Sequence, residues 1–377
     1  MRIGINGFEA VVPRFGYDKK GLPNRVGSSE VCFELIQELS KIDKKNDYVI
    51  YLPIEPTPDM PKETEKWSYK IIPDRKLWTI FGLSPALRSN NNFDVFFSPT
   101  HYGPVFVSCP QVICLLDVSY RHFPQMFKKK DLLQLSLWGG YSIKNAAKII
   151  TISNSSKSDI IKEYAVPSDK VDVVYLGIKD GLKPKMGKEI LNKYNVQKPY
   201  ILFVGTLQPR KNIARLIEAF SFIPDNSELE LVIIGRKGWN FEEILAAPQK
   251  FGVEERVSFL ENVTDEELPE FYENAQVFAL PSLYEGFGLP ILEAMKYGCP
   301  VVASNTSSLP EAGGDAALYF NPLDTHDIAE KIEKVLKDKS LAAKMKKEGF
   351  EQIKKFSWEK AAGEVLKVLE EAGSKNV

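Results

Sequence analysis

VFALPSLYEGFGLPILEAM (277–295) reads as one complete strand–turn–helix unit. Four apolar residues, Val277 to Leu280, suit a strand buried on both faces. Gly286 and Gly288 allow a turn whose backbone comes close to a ligand and adopts conformations closed to other residues. Pro290 marks a first helical turn, and Ile291, Leu292, Ala294 and Met295 supply the buried stripe of a helix predicted over Leu289–Tyr297. Packing explains those four residues. It does not explain Glu285 and Glu293, one carboxylate on each side of the turn. A helix N-terminus presents unpaired N–H groups and a partial positive charge, which favour an anion. Glu293, about one turn into the helix, suits a vicinal diol such as a ribose, and Glu285 suits the hydroxyls of a sugar beyond a diphosphate. The ligand so described is a nucleotide-sugar. A glycine turn with Glu285 in solvent and Glu293 favouring the helix dipole is the reading without a ligand.

The same alternation runs along the whole chain. MRIGIN, DYVIYLP, DVFFSP, QVICLLD, AAKIITIS and KVDVVYLG read as strands in the first half. YILFVG, ELVIIG, VSFLENV, VFALPS, PVVAS and ALYF read as strands in the second. Helical patterns lie between them, at Glu30–Lys41, Ile213–Ser221, Asp265–Asn274 and Leu289–Tyr297. Strand–helix alternation implies parallel sheets with right-handed crossovers. A length of 377 residues exceeds what one core supports. The expected fold is therefore α/β, with two doubly wound, Rossmann-like parallel-sheet domains facing across a cleft. The Gly-, Lys- and Pro-rich stretch 178–197 marks the seam. Residues 1–178 form the first domain, 179–356 the second, and 357–377 a terminal helix. The lysine-rich stretch 331–355 reads as a helix with a solvated face.

A formal net charge of −1 lacks the basic excess of a general nucleic-acid binder, so no nucleic-acid partner is expected. Cys32, Cys109, Cys114 and Cys299 have neither zinc nor disulfide spacing and read as reduced thiols of a cytoplasmic protein. MRIGINGF is too short and glycine-broken for a signal peptide, and no apolar run reaches the roughly 18 residues that span a bilayer. FKKKD (127–131) is either a solvated loop or a contact with the inner face of an anionic membrane.

Unusual polar residues gather just after strands, where open α/β sheets bind ligands. TLQPRKN (206–212) places Arg210 and Lys211 in a turn before a helix that Asn212 would cap, a clamp for a diphosphate. RKGW (236–239) follows another strand. Gly27 opens a helix beside Ser28 and Ser29, as a phosphate-facing loop or a plain cap. Asp117 ends a strand, with Arg121 and His122 close behind. His101 and His326 lie far from partners that would make a metal site or a triad.

These residues carry a resemblance. FVGTLQPRKNIARLIEAF (203–220), LVIIGRKGW (231–239), and 259–322 with its Glu285-x7-Glu293 spacing are similar to the retaining glycosyltransferases of GT-B fold, family 4 (glycosyl transferases group 1). VVYLGI and FSWEKAA match as well, and the resemblance implies that 1–178 is the acceptor-side domain, 179–356 the nucleotide-sugar-binding domain, and 357–377 a last helix that returns to the first domain. The likeness is greatest to bacterial mannosyltransferases of surface-polysaccharide assembly. It implies that Glu293 binds the ribose and Glu285 the donor sugar, with backbone amides of Gly286, Phe287, Gly288 and Leu289 on sugar and diphosphate. Arg210 and Lys211 would stabilise the leaving diphosphate. Gly235, Arg236, Asn262 and Val263 would flank the base, and Gly27 would face the phosphates from the first domain. Many relatives carry His immediately before the aspartate corresponding to Asp117. Here that residue is Leu116, so either Asp117 or a nearby group such as His122 takes over the sugar contact, or the activity is altered.

The implied activity is metal-independent, retaining hexosyl transfer, best mannose from GDP-mannose, to a glycan or lipid-linked sugar acceptor. No cofactor is expected beyond the nucleotide-sugar co-substrate. No D-x-D cluster follows a strand to hold a divalent ion. UDP-glucose or another UDP-sugar is the alternative donor, and a non-catalytic GT-B sugar-binding or scaffold subunit the alternative class. A dinucleotide-dependent dehydrogenase is excluded, because GINGFEA lacks the third glycine of its fingerprint.

Overall fold

In the computed structural model the described residues are 1–13, 16–19, 21–73, 75–89, 92–179, 189–224 and 228–374. The chain divides into two compact units, Met1–Gly177 with the segment from Ser357 onward, and Ile178–Phe356. Part of the predicted seam, 180–188, lies outside the described residues.

The first unit holds seven strands: β1 (Arg2–Asn6), β2 (Asp47–Leu52), β3 (Trp67–Ile71), β4 (Val95–Ser98), β5 (Gln111–Cys114), β6 (Lys148–Thr151) and β7 (Val171–Val173). They form one parallel sheet in the order β3-β2-β1-β4-β5-β6-β7. β1 hands the chain to β2 on one side, while β4 lies on its other side. The order therefore reverses between β1 and β4. The helix Ser28–Ile42 buries Val31, Cys32, Leu35, Ile36 and Leu39, a stripe at helical spacing. The helix Trp358–Ser374 packs on that helix and on β4, β5 and β6. Two glycines permit this closeness: a Cβ on Gly177 would lie 2.1 Å from Trp358 N, and one on Gly373 2.2 Å from Met1 Cε.

The second unit holds β8 (Tyr200–Val204), β9 (Glu230–Ile234), β10 (Val257–Leu260), β11 (Val277–Leu280), β12 (Val301–Ser304) and β13 (Ala317–Phe320). Again the sheet is parallel, in the order β10-β9-β8-β11-β12-β13. Its reversal lies between β8 and β11. The helix Ile213–Ser221 follows β8 and turns Ile213, Leu216, Ile217 and Phe220 inward.

Some expectations need correction. β3 was not anticipated: WSYKI alternates in polarity because it is an edge strand, buried at Trp67 and exposed at Ile71. The single lysine-rich helix is two helices, Thr325–Lys337 and Lys339–Ile353, parted at Asp338, whose carboxylate accepts from Leu341 N and caps the second. All four cysteines are free, with Cys32, Cys114 and Cys299 buried and Cys109 half-buried. Among the described residues no helix is long and apolar enough to cross a membrane.

Candidate active site

The carboxyl edge of the second sheet, where its order reverses, carries a buried cluster of charge. From β8 the chain enters a single 3-10 turn, Pro209–Lys211, and reaches Asn212 in a left-handed conformation, φ 57° and ψ 30°. Asn212 occupies the cap position, but its side chain makes no capping bond. Instead Nδ2 donates to the carbonyls of Pro281 at 3.0 Å and Pro322 at 2.8 Å, while Oδ1 accepts from Arg215 at 2.9 Å. The predicted cap is thus a buried cross-tie. It fastens the turn after β8 to the turn after β11, and Leu283 N adds a backbone bond to Arg210 O at 2.9 Å.

Across this tie the three expected charges meet. Arg210 donates to Glu285 Oε2 at 2.9 Å, and Lys211 Nζ donates to Oε1 at 2.5 Å. Ser282 Oγ adds a third donor to Oε1 at 2.6 Å. Arg210 also donates to the Tyr284 carbonyl. Glu285 is 9% exposed, so the ligand-free reading of this carboxylate as a solvent residue does not hold. Burial on its own would push the carboxyl up. The Arg210 and Lys211 cations outweigh burial and, with the Lys211 and Ser282 hydrogen bonds, hold it down at about 2. Two cations against one carboxylate leave the cluster net positive.

The backbone of Glu285 is held from the turn after β12: its N–H donates to Ser307 Oγ at 2.9 Å, and Ser308 Oγ donates to its carbonyl at 2.8 Å. Sequence reasoning gave Ser307 and Ser308 no role, nor Ser282. Their signal is faint, a Ser-Ser pair after a strand in SNTSSLP.

Gly288 begins the helix Leu289–Lys296 with φ 107°, a backbone conformation that disfavours any side chain, and a Cβ there would lie 2.8 Å from Leu309 Cδ2. Gly286 is buried. Phe287 is 3% exposed, its ring edge-on to Phe356 at 5.4 Å. Leu289 is half-buried in the first turn. Glu293 lies one turn further on and accepts from Tyr272 OH at 2.9 Å. Burial pushes its carboxyl above the ordinary value, only partly offset by that hydroxyl. One helix end thus carries a carboxylate held charged before it and a carboxylate with raised proton affinity within it.

The remaining expected residues are divided between the two units. Gly235 directly follows β9 against the neighbouring turn, where a Cβ would lie 2.0 Å from Gly205 O; close backbone packing alone demands this glycine. Arg236 and Asn262 are exposed beyond β9 and β10, Asn262 with φ 65°, and Val263 is half-buried. Gly27 and Asp117 belong to the first unit. Gly27 caps the helix Ser28–Ile42 with φ 58° and has open space where a Cβ would stand. Asp117 Oδ1 accepts from Ser119 N at 2.8 Å and so starts a short turn of helix. His122 Nε2 lies 3.3 Å from Asp159 Oδ2. Among the described residues there is no group of three or more His, Cys, Asp or Glu arranged to hold a metal ion.

Comparison with known proteins fits this geometry. The profile of the family described as "Glycosyl transferases group 1" matches residues 188–352. O-antigen chain mannosyltransferase B of Escherichia coli is 33% identical over 306 residues, covering 79% of this chain and 78% of that protein. Serotype-specific mannosyltransferase WbdA of Escherichia coli is 32% identical over 232 residues, 58% of this chain but only 28% of that longer protein. Among solved structures, sucrose-phosphate synthase from Thermosynechococcus elongatus superposes with a TM-score of 0.73 at 18% identity, covering 100% of both chains, a likeness of fold. On this evidence the chain belongs to the glycosyl transferases group 1 family and is a glycosyltransferase of the GT-B fold.

Proposed function

We propose that the protein transfers mannose from GDP-mannose to a glycan or lipid-linked sugar in polysaccharide biosynthesis, with retention at the anomeric carbon and without a metal ion. The choice of mannose leans on the mannosyltransferase relative that spans most of the chain. The observation that carries the catalytic reading is the contact of Arg210 and Lys211 with Glu285 at the sheet's switch point, beside a helix N-terminus.

In the proposed step the bond between C1 and the diphosphate oxygen breaks, and its electron pair stays on that oxygen. The acceptor hydroxyl oxygen bonds to C1 from the same face, and its proton passes to the departing diphosphate oxygen. Negative charge grows on the leaving group, so cations already in place lower the barrier without rearranging. A guanidinium has five N–H donors and an ammonium three; each contact with Glu285 uses one. The alternative route to retention makes Glu285 a covalent nucleophile. A carboxylate held at about 2, with both oxygens accepting hydrogen bonds, is a weak nucleophile, which supports the same-face route. Incubation with a panel of nucleotide-sugars tests the assignment: GDP release from GDP-mannose is expected, and every donor left intact would refute it. A glycosylated Glu285 in a trapped reaction would refute the same-face step.

A peripheral site of action at the cytoplasmic membrane face belongs to the same proposal. Lys128, Lys129 and Lys130 are exposed, and Leu133 and Leu137 along the same helical stretch are 61% and 67% exposed. An apolar stripe beside cations suits an anionic lipid surface. Pelleting with anionic but not zwitterionic vesicles, lost when the three lysines become alanine, is the expected result.

A further inference from the structure

Gln208 stands at a junction beside the charge cluster. The ladder between β8 and β9 runs on beyond both strands, to a last bridge between Leu207 and Lys237. Leu207 N donates to Arg236 O and Gly238 N to Leu207 O, each at 2.9 Å. Gln208 is the next residue. Its carbonyl accepts from Lys211 N at 3.0 Å and so starts the 3-10 turn that carries both cations. A Cβ on Gly238 would lie 2.7 Å from Leu207 O and 3.5 Å from Gln208 Cβ, so glycine lets the turn 236–239 lie against Gln208. One residue thus adjoins the turn of the diphosphate cations and the turn expected at the base.

Its side chain is in an unusual state. Gln208 is 5% exposed, and among the described residues its buried Oε1 has no hydrogen-bond partner. Leaving an amide oxygen unpaired in the interior is costly, and most buried polar groups are paired. An apolar side chain of the same length would avoid that cost. Asn212, in the same turn, is the contrast: both ends of its amide are bonded. Turning the Gln208 amide towards a ligand breaks no hydrogen bond at Oε1.

We propose that Gln208 is a specificity-determining residue of the donor site, its amide oxygen accepting a hydrogen bond from the nucleoside half of the donor. The inference rests on the donor reading above. The chemistry of the unpaired atom selects the partner. An ionised diphosphate offers only acceptors and cannot pair an amide oxygen, whereas a nucleoside carries ribose O–H and base N–H donors. Position selects in the same direction. Gln208 lies between Arg210 and Lys211, expected at the diphosphate, and the turn that begins with Gly235 and Arg236, expected at the base. A site built to hydrogen-bond its ligand rejects analogues that lack the donor group, because its own polar group is then left unpaired.

Gln208→Met in the whole protein keeps the length of the side chain and removes its amide, which separates binding from stability. Without ligand its thermal midpoint is expected to rise by about 2–4 °C, because an unpaired buried acceptor is gone. Calorimetric titration with GDP is expected to show affinity weakened about three- to tenfold, the worth of one neutral hydrogen bond. Affinity for inorganic pyrophosphate, which lacks the nucleoside, should stay within about twofold of the wild type. Three results would each overturn the proposal. A lower midpoint would show that Oε1 is paired by an ordered water and serves packing. Unchanged GDP affinity would leave the amide without a ligand, and equal losses for GDP and pyrophosphate would give it to the diphosphate. The wild type tests the donor reading separately. Binding of UDP but not GDP removes the choice of guanine alone, and the comparison is then made with UDP. Binding of neither nucleotide removes the donor reading and this inference with it.

Discussion

Lys211 Nζ and Glu285 Oε1 are 2.5 Å apart, and this contact joins the turn after β8 to the turn after β11. Both side chains are largely buried, 12% and 11% exposed, and Arg210 shares the same carboxylate. Burying such charges is costly unless each is paired and hydrogen-bonded, a condition this cluster meets. Its value would lie in presenting cations that need not move as charge grows on a leaving diphosphate. Lys211→Ala and Arg210→Ala are each expected to lower kcat by about a hundredfold, the scale of losing one preorganised donor. The donor KM should change far less. Steady-state release of nucleoside diphosphate gives both constants, and a loss confined to KM would mean uniform binding instead.

The same cluster predicts an acid dependence of stability. Glu285 titrates at about 2 in the folded protein against an ordinary 4.5. A depressed carboxyl stabilises the fold above the ordinary value, and that contribution is lost as pH falls from about 4.5 towards about 2. Its size is about 3 kcal/mol. Glu285→Gln cannot titrate and leaves two cations without their counter-charge, so it is less stable near neutrality. Urea-unfolding free energies of the two proteins should converge as the pH drops below 4.5. A gap that stays constant down to the acid transition would show that the carboxylate is not held charged by its neighbours.

Asn212 offers a sharper structural test. It is 6% exposed, donates to two carbonyls and accepts from Arg215, all from a left-handed backbone. Asn212→Ala loses these bonds and also forces a Cβ without a compensating hydrogen bond into φ 57°. Asn212→Gly loses the same bonds but relaxes the backbone, since that conformation costs ordinary residues about 1–2 kcal/mol. Both variants should be destabilised by several kcal/mol, at about 1–3 kcal/mol for each buried group left unsatisfied. Glycine should nevertheless come out the more stable of the two by about 1 kcal/mol. Thermal or urea unfolding reads the order. Alanine equal to or above glycine would mean that the turn relaxes and that Asn212 does not hold the site.

How far the sequence disclosed this site follows from what each residue does. The strands were legible because runs such as YILFV and VFAL are buried on both faces, which leaves an unbroken apolar signature. β3 escaped because an edge strand keeps polar residues. Glu285, Arg210 and Lys211 stood out as charges next to glycine and proline turns, but their mutual contact spans more than seventy residues of chain and depends on sheet order. Asn212 was misjudged for a related reason. At a helix start, local spacing favours a cap, whereas the partners that claim its side chain, Pro281 and Pro322, are distant in sequence. Ser307 and Ser308 were silent, because a hydroxyl that holds a backbone group leaves no pattern of its own.

Glu293 should separate function from stability. Burial raises its proton affinity, so the folded state disfavours the charged form. By linkage, a raised carboxyl contributes stability below the unfolded value and loses it as pH rises through the folded value. Above the folded value the ionised group therefore costs stability. Glu293→Gln keeps an oxygen to accept from Tyr272 OH and removes that cost, so its thermal midpoint should rise relative to the wild type as the pH is raised. Donor binding should move the other way. A carboxylate accepting from a ribose diol is worth about 1.5–3 kcal/mol more than nothing, and glutamine should weaken GDP binding by about tenfold or more. Wild-type affinity should also fall in acid, with a midpoint above the ordinary glutamate value, while the variant's stays flat. Calorimetric titration with GDP across pH measures both. A variant that is less stable yet binds GDP as the wild type does would make Glu293 a packing residue and remove it from the donor site.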